Sequence, residues 1–92
     1  MNWHDVPLRA INFSSFWLTN FAEGNYNLNE LLNKTIENKY KVGKEKLLEI
    51  VEELVASGLV NYNLKNNHMV FTLMTATTKA VIDSYKKDNL TL

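Results

Sequence analysis

Apolar residues recur along this chain with two different periods, and the change between them falls near residue 59. Up to that point the spacing is helical, with apolar positions three and four apart. A first helix is predicted over 6–23, with Asp5 as an acidic N-cap, Pro7 in the first turn and Gly24 as the C-cap. Its apolar residues Ala10, Ile11, Phe13, Trp17, Leu18, Phe21 and Ala22 cover about half the helical wheel, wider than the ~100° stripe that one core requires. Phe16 falls outside that arc, among Arg9, Asn12, Asn20 and Glu23. A second helix over 28–38 has a complete start signal: Asn27 as N-cap, Glu30 to close a capping box, and Tyr26 placed to staple against Leu31. Leu28, Leu31, Leu32, Thr35 and Ile36 continue it. After a turn over 39–43, a third helix over 44–57 is predicted, with Gly43 as N-cap and Val42 stapled to Leu47. Gly58 supplies a left-handed stop, after which Leu59 can touch Leu54.

From Val60 the period becomes two. Val60, Tyr62 and Leu64 alternate with Asn61 and Asn63, and Met69, Phe71 and Leu73 alternate with Val70 and Thr72. A two-residue turn at Asn66-Asn67, where asparagine tolerates positive φ, pairs Leu64 with Met69, Tyr62 with Phe71 and Val60 with Leu73. All three apolar pairs then share one face, and a slip of one residue would scatter them. The hairpin should occupy 59–73. A last helix over 75–87 carries Ala80, Val81, Ile82 and Tyr85, with Lys86 and Lys87 at its negative end.

Helix, helix, turn, helix, hairpin, helix is the order of a winged helix-turn-helix, an α+β fold with a three-helix core, a two-stranded wing and a C-terminal helix. The run KEKLLEIVEELVASGLVNYNLKNNHMVFTL, Lys44 to Leu73, resembles the recognition-helix, Gly-Leu-Val and wing segment of the MarR-like and PadR-like bacterial regulators. With the second helix it covers about half the chain. Its most telling piece is Leu54-Val55-x-x-Gly58-Leu59-Val60, which joins a helix, its glycine stop and a buried strand at fixed spacing. That is a signature of fold rather than of function. The Leu-Thr-x-x-Gly that usually follows the second wing strand in the family reads Leu73-Met74-Thr75-Ala76-Thr77 here. The resemblance implies a bacterial DNA-binding regulator of transcription.

Length and charge narrow this reading. Ninety-two residues, 46% hydrophobic, make one domain over 1–92, too short for two cores. Ten basic residues balance ten acidic ones, so any nucleic-acid site must be local. The chain has no cysteine, which removes disulfides, thiolate metal sites and thiol nucleophiles. It has no apolar run near the ~18 residues that would span a membrane. MNWHDVPLRA lacks the order of a secretion signal, so a soluble cytoplasmic protein is expected. His4 and His68 are far apart and lack metal-site spacing. Ser14, Ser15, Ser57 and Ser84 have no nucleophile context, and three glycines form no phosphate loop. Neither an enzyme, a metal nor a cofactor is expected.

At 100° per residue the third helix has a buried arc of Leu47, Leu48, Ile50, Val51, Leu54 and Val55 and an acidic opposite face, with Glu45, Glu49, Glu52 and Glu53 against Lys46 alone, a charge that repels phosphate. Its start, however, is basic: Lys39, Lys41, Lys44 and Lys46. The wing tip adds Lys65, Asn66, Asn67 and His68. Double-stranded DNA is therefore the expected partner, met by the helix end-on. The alternative is a protein-binding module without DNA binding, which uses the four glutamates and the aromatic first helix. Trp3, Phe13, Phe16, Trp17 and Phe21 supply more bulky surface than one small core usually absorbs. A homodimer through the terminal helices is thus expected, with Trp3, Phe16 and Tyr85 in its interface.

Overall fold

A computed structural model describes residues 6–88. Helix α1 spans Leu8–Asn20, shorter at both ends than the predicted 6–23. Pro7 is not in the first turn but is itself the N-cap, extended at φ −59° and ψ 147°. Its carbonyl accepts from the N–H groups of Ala10 and Ile11. The predicted cap Asp5 lies outside the described residues. At the other end Phe21 is already extended (φ −109°, ψ 141°), and its ring is buried in the core. Gly24 is therefore not the C-cap. Its φ of 151° belongs to the bend that leads into β1, Asn25–Tyr26. This strand was not predicted, because two residues carry no alternation to detect.

Helix α2, Leu28–Glu37, begins with the predicted capping box: the Glu30 N–H donates to Asn27 Oδ1 at 2.8 Å, and the Asn27 N–H to Glu30 Oε1 at 3.0 Å. It ends in a Schellman motif around Lys39, which takes the left-handed φ of 60° usually left to glycine. The Tyr40 N–H donates to the Thr35 carbonyl and the Lys39 N–H to that of Ile36. Helix α3, Lys44–Ala56, starts at Gly43 and stops in a second Schellman motif at Gly58, where φ is 80° and the Leu59 N–H reaches the Leu54 carbonyl.

Strands β2, Val60–Lys65, and β3, His68–Leu73, pair in the predicted register, with Val60, Tyr62 and Leu64 opposite Leu73, Phe71 and Met69. Asn66 and Asn67 turn at φ 50° and 65°, as a type I′ hairpin demands. The antiparallel sheet has the order β1-β3-β2, because Tyr26 and Asn25 pair with Phe71 and Thr72 on the free side of β3. Helix α4, Thr75–Asp88, turns Thr78, Val81 and Ile82 inward, while Ala80 is exposed.

The fold is thus α+β, four helices on a three-stranded antiparallel sheet. α1 is the central helix and packs on α3, α4 and β3. Phe13, Trp17, Leu31, Leu47, Leu54 and Leu59 form the deepest layer of the core. The aromatic surplus of α1 is taken up within the chain. Half-buried Phe16 lies with its ring 4.5 Å from Tyr40 and 5.4 Å from Phe21, and Phe13 meets Tyr40 edge-on at 5.5 Å. Each such pair adds about 0.5–1.5 kcal/mol beyond its buried area. Tyr85 is half-buried against the same core, and Trp3 lies outside the described residues. Among the described residues no helix is long and apolar enough to cross a membrane.

Candidate nucleic-acid interface

Three of the residues proposed for DNA contact come together. Lys44, in the first turn of α3, and Asn67 and His68, at the hairpin tip, line one open cleft of about 390 Å³. The start of α2 closes its other side with Asn27, Leu28 and Asn29. Two helix N-termini therefore meet the hairpin tip, each carrying the partial positive charge of its unpaired N–H groups. At α3 those groups are free of any side-chain cap, since Gly43 has none to offer. At α2 the Asn27 side chain occupies one of them. Asn27 and Asn29 are the residues that sequence reasoning missed. The capping box marked where α2 begins, but no local signal says that this end faces a hairpin forty residues later.

The remaining candidates are dispersed. Lys46 is outside the cleft lining, in a shallow depression with Gly43, Lys44, Glu45 and Glu49, and pairs with Glu49 at 3.4 Å. Lys39 is exposed at the end of α2, and Lys41 is exposed in the following loop. Lys65 and Asn66 are exposed at the hairpin tip, outside the cleft lining. The basic group is thus a strip around the start of α3 rather than a single pocket.

The acidic face of α3 divides in two. On the α1 side Arg9, the chain's single arginine, forks Glu53: its Nε donates to Oε1 at 2.9 Å and its Nη2 to Oε2 at 2.8 Å. Arg9 also approaches Glu49 at 3.6 Å. Hydrogen bonding to the guanidinium holds the Glu53 carboxyl below its ordinary range, and raises Arg9 in turn. Glu45, in the first turn, and Glu52, on the hairpin side, make no ion pair among the described residues. There Leu48 and Val55, predicted to be buried, are only half-buried. They border an apolar groove of about 290 Å³ whose far wall is Tyr62 and Met69, with Phe71 between.

The hairpin face follows suit. Val60, Leu73 and Phe71 are buried at its base, whereas Tyr62, Met69 and Leu64 toward the tip are 43%, 41% and 62% exposed. Among the described residues no three His, Cys, Asp or Glu side chains gather as metal ligands would. No protein-family model, curated protein or solved structure matches the chain.

Proposed function

We propose that this chain is a winged helix-turn-helix protein that binds duplex DNA as a small transcriptional regulator, with the β2–β3 hairpin as its wing. The observation that carries this reading is the convergence of Lys44, Asn67 and His68 with the starts of α2 and α3 around one cleft. Helix N-termini and lysine are suited to phosphate oxygens, and asparagine to the edge of adenine. The exposed carboxylates Glu49 and Glu52 along the body of α3 disfavour a helix laid along the groove, so α3 meets the duplex by its first turn, where Lys44 and Lys46 flank Glu45.

The chain has no net charge and its only arginine is held by Glu53, so affinity rests on a few lysines and is steeply salt-dependent. Fluorescence anisotropy with a labelled random-sequence duplex tests this. Binding at low salt that fades as salt rises, and that Lys44→Glu combined with Lys65→Glu abolishes, is expected. Absence of binding at micromolar protein and low salt contradicts it.

A further inference from the structure

Glu45, Leu48, Glu52 and Val55 fall on one stripe of α3, three and four residues apart; Leu48, Glu52 and Val55 line the groove against the hairpin, and Glu45 lies one turn before it, in the depression it shares with Lys44 and Lys46. The two carboxylates stand seven residues apart, about 10.5 Å along the helix axis. Neither has a cationic partner among the described residues, although Arg9 and Lys46 serve Glu49 and Glu53 one stripe away. Between the carboxylates the wall is apolar, and across the groove Tyr62 and Met69 leave much of their surface in water. Leu64 extends this apolar surface toward the tip. In a chain this small, contiguous exposed apolar surface beside a groove marks a place of association. The volume, about 290 Å³, takes one bulky side chain.

We propose that the groove between α3 and the hairpin docks a cationic amphipathic helix of a partner protein, with one large apolar side chain seated between Leu48 and Tyr62 and a basic residue on either side. Charge complementarity selects this occupant. Nucleic acid and anionic lipid headgroups are repelled by Glu52 in the groove wall, whereas lysines or arginines seven positions apart on a helix reproduce the spacing of Glu52 and Glu45. The apolar anchor supplies affinity and the flanking charges supply register. The groove and the cleft at the start of α3 share Met69 alone among their lining residues, so the two bindings can be separated by substitution.

The experiment is fluorescence anisotropy of the full chain with a labelled alanine-based helical peptide that has a central Trp and two Lys seven positions apart. The controls are the same peptide with Glu for Lys and with Ala for Trp. The Lys peptide is expected to bind with a micromolar dissociation constant, and both controls to bind at least about tenfold more weakly. Glu45→Lys with Glu52→Lys, at two exposed positions, should cost the Lys peptide a similar factor, and Tyr62→Ala should do so without changing charge. Lys44→Glu, which removes the cation of the DNA cleft, should leave peptide binding intact. Equal binding of the Lys and Glu peptides, no binding of the Lys peptide, or affinity that survives the double charge reversal overturns the proposal.

Discussion

Arg9 and Glu53 join α1 to α3 through a two-pronged hydrogen bond of 2.9 and 2.8 Å between residues 44 apart in sequence. The pair removes the only guanidinium from the surface available to a ligand, and at the same time neutralises the α1 side of an acidic helix. It also makes stability depend on pH. Because the folded protein holds the Glu53 carboxyl below its unfolded range, the unfolded chain binds the extra proton as acid is added. The contribution is complete above the ordinary glutamate pKa of about 4.3 and is lost as pH falls through the lower folded value. Arg9→Gln should therefore unfold at lower urea than the parent at pH 7, with the gap closing in acid. The Glu53 carboxyl, followed by carbon NMR, should return to the ordinary range in that variant. A gap that persists in strong acid contradicts the assignment.

Lys39 occupies the left-handed position of the α2 Schellman motif, with its side chain exposed. A residue with a Cβ bears about 1–2 kcal/mol of strain there, part of which glycine forfeits again through its freer unfolded chain. Lys39→Gly should raise stability by roughly 1 kcal/mol in urea denaturation, whereas Lys39→Ala should bring no gain. Equal behaviour of the two variants argues against the left-handed conformation.

Gly43 allows stability and ligand binding to be separated. Its φ of −82° suits any residue, and a Cβ placed on it meets nothing within 4 Å. Gly43→Asp should cap the free N–H groups of α3 and hold or raise stability by roughly a few tenths of a kcal/mol. The same carboxylate would occupy the groups offered to phosphate, so duplex affinity should fall about threefold or more at low salt. Unchanged duplex binding in a stable variant would move the phosphate contact away from the start of α3.

The hairpin is anchored at its base and not at its tip. Phe71 is 2% exposed, opposite both Tyr26 and Tyr62, while Leu64 is 62% exposed. Phe71→Ala should cost about 3–5 kcal/mol, a large share of what so small a domain holds. Leu64→Ala should stay within about 0.5 kcal/mol. Similar losses at both positions in thermal melts would mean that the outer half of the hairpin is packed against something.

Much of this architecture is legible in the residues themselves. Alternation over Val60 to Leu73, with two asparagines between, permits only one register that keeps the apolar pairs on one face, and Asn27 with Glu30 marks a helix start through local chemistry alone. What the sequence hides is long-range. Asn25 and Tyr26 become a strand only because β3 has a free edge beside them. Phe16 lies off the apolar arc of its own helix, yet is covered because the loop after α2 brings Tyr40 over it. A helical wheel placed Leu48 and Val55 in the core, but the hairpin stands off from them and leaves a groove. Arg9 reads as an isolated surface charge until the fold sets it against Glu53. Of the candidate contacts, the lysines were visible as a basic start to α3. That Lys44, rather than Lys39 or Lys41, faces the hairpin tip follows from the packing of α2 on α3.

A chemical-shift titration of the full chain with a short DNA duplex bears on the proposed function at the level of single residues. The amides of Asn27, Asn29, Lys44, Asn67 and His68 are expected to shift together and saturate with one dissociation constant, while those of Ala76 and Lys79 on the exposed side of α4 stay in place. Shifts that spare the start of α3 and the hairpin tip, or no shifts at all at low salt, would show that this cleft is not a DNA-binding surface.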